Sequence, residues 1–398
     1  MKIYNAQIYT MAEPAFDGWI EFDEKIIDMG QGQPAEIFPS DINAMGGVII
    51  PGFIDAHTHL GVIESGLGFE GDDCNEATDP FTPNLRVIDG INPLDKYWDL
   101  AREQGITTVA ISPGSANPVG GRIIVAKTTG GVYSKKSNKS RRIDDMFIAT
   151  VGTKFALGEN PKSVYNERNA TPITRMAVSA VIRDGLDKAK HYMQEYDDNK
   201  RDPENHDPPE YDAKSHALLP LLRREQKAHF HCHRTDDIFT AIRISKEFNL
   251  DPVLIHATEG YMVADLIAKE EVPSGQISAI VGPLLCDCSK PELQNQDLCN
   301  ASSLLKNGVK VAICTDHPET PIGFLSLTAA AAMKGGMVFD NAMRCVTVNA
   351  AEILGIEHRV GSLKIGMDAD LQLYSGYELF GMFSKPERVY INGISIDG

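Results

Sequence analysis

No run of about 18 apolar residues occurs anywhere in this 398-residue chain, so no segment qualifies as a membrane-spanning helix. Positive charge is scarce as well: 38 Lys and Arg stand against 55 Asp and Glu, for a formal charge of -17. Nucleic acid binding draws on clustered cations, so neither a nucleic acid nor a membrane is an expected partner. The N-terminus holds an early Lys2 but no apolar stretch long enough for a signal-peptide core, which predicts a cytoplasmic protein. The seven cysteines are scattered and odd in number, in a chain large enough to fold without staples, so free thiols are expected. Cys286, Cys288 and Cys299 lack the four-ligand spacing of a structural zinc site.

Two segments have a local charge bias. Lys135, Lys136, Lys139, Arg141 and Arg142 are interleaved with Ser and Asn and read as a solvated loop surface rather than an anion site. Between Glu195 and Asp212, eight acidic residues accompany two basic ones, with Pro203, Pro208 and Pro209 among them, which predicts a mobile insertion loop.

Residues 1 to about 50 alternate apolar and polar positions, as in Lys2 to Ile8, with turn signals at Asp17-Gly18 and Gly30-Gln31-Gly32. The same texture returns in Asp368 to Tyr374 and Arg388 to Gly393. Both ends should therefore contribute short strands to one small β domain, 1–50 plus 359–398, flanking a larger domain at 51–358.

That larger domain alternates strand-like apolar runs with amphipathic stretches, the pattern of parallel β/α units. Strands are predicted at 48–57, 107–112, 122–127, 153–157, 228–233, 252–256, 277–281 and 309–315. Helices are predicted at 93–104, 174–196, 235–248, 262–269 and 325–335. Units in this number over such a length fit a (β/α)8 barrel, and no short internal repeat competes with that assignment.

Chemistry concentrates at the strand ends. In Pro51 to His59, an apolar strand finishes on His57 and His59, and residues i and i+2 of a strand share a face. The strand Ala228 to His233 carries His229, His231 and His233 on one face, and the active rim of a barrel would select the later ones. The next strand ends on His256, and Val311 to Thr315 runs out at Asp316. A single His or Asp in such a place is ordinarily a satisfied structural group, but four strand ends of this kind in one barrel suggest convergence on a metal. Imidazole with carboxylate suits zinc first, and also iron, manganese or nickel.

Taken with the closing segment Gly361 to Leu371, these residues resemble the amidohydrolase superfamily, on its imidazolonepropionase-like and prolidase-like side. The closing signature G-x-hydrophobic-x-x-G-x-D-A-D-hydrophobic is matched with Met367 in place of the usual Lys. The resemblance spans nearly the whole chain. It implies a (β/α)8 TIM-like barrel with a small β-sandwich from both termini, and one or two divalent ions held by His57, His59, His231, His256 and Asp316. Asp316 would also be the general base, with His256 beside it in the catalytic set.

In relatives with two ions, a carboxylated Lys or a Glu from strand four bridges the pair. Here both Lys154 and Glu159 are available. Position at the rim favours Glu159 as the ligand, whereas Glu159-Asn160-Pro161 could equally fix a turn, so Lys154 stays open as the bridge. His233 could bind substrate or orient a ligand. Arg234, Tyr165 and Arg175 could grip a substrate carboxylate, each against an ordinary surface or packing role.

The expected activity is metal-assisted hydrolysis of a C–N bond in a cyclic amide, N-acyl or dipeptide-type small molecule. Deamination of a nucleobase-like ring is the alternative reaction, and a barrel retained as a non-catalytic scaffold is the alternative of another class. Homo-oligomerisation is implied by resemblance alone.

Overall fold

The computed structural model describes residues 1–130, 142–376, 378–382 and 384–396. Its strands are β1 (Lys2–Ile8), β2 (Phe16–Phe22), β3 (Ile26–Gln31), β4 (Ile42–Pro51), β5 (Phe53–Thr58), β6 (Ile106–Ile111), β7 (Val119–Lys127), β8 (Phe147–Ala156), β9 (Lys227–Cys232), β10 (Pro252–His256), β11 (Ser278–Val281), β12 (Lys310–Ile313), β13 (Leu371–Tyr374), β14 (Arg388–Ile391) and β15 (Ile394–Ser395). They form two sheets. One has seven strands in the order β15-β14-β13-β4-β1-β2-β3, and the other has eight, running consecutively from β5 to β12.

The eight-stranded sheet is the barrel wall. Strands β5, β6, β9 and β10 are almost wholly buried, as expected when helices cover one face and a barrel interior the other. In β9, Ala228, Phe230 and Cys232 join the apolar layer that includes the helix residues Ile238, Ala241 and Ile242. By strand alternation His229 and His231 take the opposite face. The wall is brought nearly to closure by the backbone of Asp316, whose N–H donates to the His57 carbonyl at 3.1 Å. Asp55 reinforces the seam: buried in β5, it accepts from the backbone N–H of Thr315 at 3.1 Å and from the Thr315 hydroxyl.

One expected β/α unit is different. The strand predicted at 122–127 exists as β7, but it runs antiparallel to both β6 and β8. Only residues 112–118 separate β6 from β7, too few for the dozen or more that a parallel crossover needs, so the chain turns back directly.

The single strand predicted at 48–57 is split between the two sheets. Val48 to Pro51 pair with β13 in the terminal sheet, whereas Phe53 onward pairs with β6 in the barrel. Gly52 sits at the change of partner, where a side chain would collide with that of Thr107. The terminal strands form one hydrogen-bonded sheet with its own apolar cluster, including Ile3, Ile20, Phe22, Ile49 and Leu371. Among the described residues the two ends of the chain thus share a single seven-stranded hydrogen-bonded sheet.

The Asp-Ala-Asp of the closing signature joins the two parts. Lys127 of β7 is buried and pairs with Asp370 at 2.5 Å and Asp368 at 3.1 Å, while Asp368 also meets Lys25 and Arg359. Buried charge is tolerated there because each group is paired several times over.

Helix limits differ at several places, and the helix expected at 93–104 is confined to Tyr97–Glu103. The helix expected to end near Tyr196 continues as Arg175–Arg201, capped at its start by the Thr174 side chain. Its acidic end stays helical because Asp198 pairs with Arg201 and Asp197 with Arg223. The segment predicted as an insertion loop from Glu195 is therefore irregular only from Asp202 onward. Residues 262–269 form a 3-10 turn, Gly260–Val263, followed by the short helix Ala264–Ile267. Of the basic run, Lys135 to Arg141 lies outside the described residues, and Arg142 pairs with Asp144 at the surface. All seven cysteines are free thiols. No helix among the described residues is long and apolar enough to cross a membrane.

Candidate metal centre

Two groups of potential ligands converge at one end of the barrel. In the first, His57, His59 and Asp316 have ligand atoms all within 4.8 Å of one another, and in the second, so do His231, His233 and His256. Asp316 Oδ1 lies 3.4 Å from the Nε2 atoms of both His57 and His59. That atom is buried without a hydrogen-bond partner. Donors bound at about 2.1 Å to one tetrahedral ion stand about 3.4 Å apart, so this spacing suits ligands around a cation better than a hydrogen-bonded cluster.

The backbone aims these groups. His256 and Asp316 both have positive φ, 69° and 55°, at the points where β10 and the segment after β12 leave the sheet. A non-glycine residue in that region is strained, and such strain recurs at functional sites. His256 Nδ1 donates to the Gly282 carbonyl at 2.6 Å, and His59 Nδ1 to the Ser112 carbonyl at 2.8 Å. A carbonyl can only accept, so in the neutral form of each ring the lone pair is left on Nε2, the tautomer a metal ligand needs.

Burial and charge favour the same ionic states. Burial, and then the nearby Lys154, hold His57 well below the ordinary histidine range. Burial lowers His231 in the same way, and it takes His256 down to about 4 despite the opposing Asp316. Burial pushes the Asp316 carboxyl up, but His256 and His59 outweigh it, so the group is ionised more readily than usual. His59 departs from the pattern: burial opposes its charged form, yet Cys74 and Asp316 raise it to about 10. Cys74 Sγ stands 3.3 Å from His59 Nδ1. Neutral His57, His231 and His256 beside an ionised carboxylate are in the donor states that cation binding requires, and His59 has to release a proton to join them.

Lys154 reaches the first group from β8, its Nζ 3.2 Å from His57 Nε2. Glu159 does not join either group. Its carboxylate accepts from the Glu292 N–H at 3.3 Å and lines a separate cavity of about 400 Å³, together with Arg175 and Arg234. Those arginines are engaged there, Arg175 by Asp237 at 3.0 Å and Arg234 by Asp236 at 2.9 Å. Tyr165 is buried and donates to Asn117 Oδ1 at 2.8 Å. None of these three expected substrate contacts lines the cavity of about 290 Å³ bordered by Lys154, His231, His233, His256 and Asp316.

Other polar groups take their place. Lys290 borders the histidine cavity and pairs with Glu292 at 2.8 Å, while its Nζ also donates to Asn160 Oδ1 at 2.9 Å. Asn160 bonds Ser115 at 2.7 Å. Glu292 is buried, with Oε1 3.6 Å from His233 Nε2. Sequence inspection missed Lys290 and Glu292 because they lie on the irregular stretch after β11, which carries no strand-end signature. The adjacent Cys286, Cys288 and Cys299 were the conspicuous feature of that stretch.

A barrel wall with histidines and an acid gathered at one end offers two groups of candidate metal ligands. Residues 227–394 match the amidohydrolase family. The chain superposes on the crystal structure of an amidohydrolase from Thermotoga maritima MSB8 with a TM-score of 0.90 and 38% identity, covering 99% of this chain and 98% of that one. The chain belongs to the amidohydrolase family, whose members are hydrolases acting on C–N bonds. It is also 29% identical over 90% of its length to amidohydrolase tasK of Hapsidospora irregularis, although it spans only 38% of that longer protein. Similarity to the imidazolonepropionase of Fusobacterium nucleatum is 22% identity, over 95% of this chain and 91% of that one.

Proposed function

We propose that this protein hydrolyses a C–N bond of a small cyclic amide, N-acyl or dipeptide-type substrate, using one or two divalent ions, zinc by expectation. The observation that carries this reading is the pair of three-residue donor groups at one end of the barrel, with Lys154 against His57 of the first and lining one cavity with the second. His57, His59 and Asp316 would hold one ion, and His231 and His256 the other, with Lys154 rather than Glu159 between them. When bound, a divalent metal supplies Lewis acidity and brings the pKa of water toward neutrality.

The remaining work falls to the side chains. Asp316 accepts a proton from the attacking water, and the same carboxyl returns it to the leaving nitrogen as the C–N bond breaks. Water thus adds OH to the acyl carbon and H to the nitrogen, and no other reactant is required. Lys290 and Asn160 are positioned at the cavity wall to orient a polar or anionic part of the substrate. The cavity of about 290 Å³ suits a small molecule better than a polymer. The likeness to an imidazolonepropionase over almost the whole chain favours a ring amide among these classes.

Metal-loaded protein should be screened against lactams, N-acyl amino acids, dipeptides and aminated heterocycles. Turnover of an amide with release of a carboxylate supports the proposal. Release of ammonia from the heterocycles alone would transfer it to the deaminase class, and a chain holding less than about one tight transition metal would favour the scaffold.

A further inference from the structure

We propose that His233 is a third imidazole donor of the second cation site, so that His231, His233 and His256 make a set complete without Lys154. This deepens the metal-centre reading above and rests on it.

The three rings are packed together, with centroids 4.7 Å apart for His231 and His233, 4.7 Å for His231 and His256, and 4.8 Å for His233 and His256. All three are buried, and their ligand atoms lie within 4.8 Å of one another. His233 lies two residues beyond His231, where β9 has just ended, and it is anchored as its neighbour is. Its Nδ1 meets the Thr258 hydroxyl at 2.7 Å, as His256 Nδ1 meets the Gly282 carbonyl. The Thr258 oxygen can accept the Nδ1 proton, which leaves the lone pair on Nε2.

That Nε2 atom is the second observation. It is buried and has no hydrogen-bond partner. The nearest acid, Glu292 Oε1, stands 3.6 Å away, beyond hydrogen-bond range, and is itself held by Lys290 at 2.8 Å. A buried imidazole nitrogen left empty costs free energy unless something fills it, and a polar core histidine would ordinarily have found a donor. A cation shared with His231 and His256 satisfies it. Glu292 then supplies negative charge beside the site without needing to bind directly.

A bridging side chain is normally what completes a second site of this kind, so the three-histidine set makes a specific claim about metal content. The test uses full-length protein stripped of metal and titrated with Co²⁺ by equilibrium dialysis, with the visible absorption of the bound ion recorded. Lys154→Met should keep a tight ion at the three-histidine set. Lys154→Met combined with His233→Asn should lose about one equivalent, or bind it at least about 100-fold more weakly, since even indirect partners of ligating histidines are worth about 10–100-fold. In the otherwise unchanged chain, Thr258→Val should weaken one ion by about 10-fold while leaving the ligands in place, which keeps the test open if the double variant does not fold.

Equal Co²⁺ affinity with and without His233, or with and without the Thr258 hydroxyl, would overturn the proposal and leave His233 as a substrate contact. Loss of all tight binding in Lys154→Met would overturn it too, because the site would then depend on the lysine. Absence of Co²⁺ binding in the unchanged chain would instead bring down the metal-centre reading itself.

Discussion

Lys154 Nζ and His57 Nε2 face each other at 3.2 Å, with both side chains 1% exposed. Two nitrogens at that distance share one hydrogen, so they cannot both be fully protonated. Burial takes the Lys154 pKa down to about 8, against the pull of Asp316, and it holds His57 neutral. The neutral amine is the form that can add to carbon dioxide, forming an N–C bond and releasing a proton. A lysine so placed can therefore become a carboxylate beside His57.

Lys154→Met is expected to lower turnover by about 100-fold or more, by analogy with the loss of groups that support a metal. Melting temperature should not fall, because Met has a similar volume and removes a buried charge. Protein incubated with ¹³C-bicarbonate should give a carbamate carbon resonance that Lys154→Met lacks. Wild-type activity in the variant would rule out a bridging lysine.

Asp316→Asn tests the proton carrier. The amide keeps the shape of the side chain and one oxygen, so the fold and a substantial part of the metal content should survive. Turnover should drop by about 10²–10⁴-fold, the usual contribution of a positioned acid or base. Steady-state rates alongside metal analysis separate loss of the proton route from loss of the ion, and an unaffected rate would remove Asp316 from the proposed chemistry.

The legible parts of this molecule are those with a local period. His57 and His59 were accessible because a strand puts i and i+2 on one face, and β10 was bounded correctly because Pro252 to His256 is an uninterrupted apolar run closing on a polar residue. The reversal of β7 was not accessible, since an apolar strand reads alike in either direction and only the short link before it tells them apart. Division of the Val48 to His57 run was equally hidden: Ile49 and Ile54 are both buried and apolar, and which sheet each joins depends on β13 and β6, far along the chain. The engagement of Arg175 by Asp237 has no local signature, because the partners lie 62 positions apart in the chain.

The junction at Gly52 gives a stability prediction. A methyl group there would run into the Thr107 side chain in the adjoining strand region, where the backbones approach closely. Gly52→Ala should destabilise the protein by about 1–3 kcal/mol, in the range of overpacking. Thr107→Gly in the same chain should recover part of the loss, because the Thr107 Cβ itself would stand 2.7 Å from the added methyl group, and a double-mutant cycle in urea measures that coupling. Additive effects would mean that the methyl group is accommodated without touching Thr107.

His229 predicts how stability varies with pH. It is buried in β9 with no hydrogen-bond partner on either ring nitrogen among the described residues. Burial, and then the charges of Lys227 and Lys154, lower its pKa from 6.5 to about 3. Between those values the unfolded chain binds a proton at this position that the folded chain refuses, so ν_U exceeds ν_N and stability rises with pH. The loss on acidification therefore begins near pH 6.5 and continues toward pH 3. His229→Phe removes that proton-binding difference, so the stability of the variant relative to the parent should increase steadily as pH falls through this window. Urea midpoints of both proteins at pH 4, 5, 6 and 7 provide the comparison, and groups common to the two cancel from it. A difference that stays constant with pH would show that His229 takes up its proton equally well in the folded barrel.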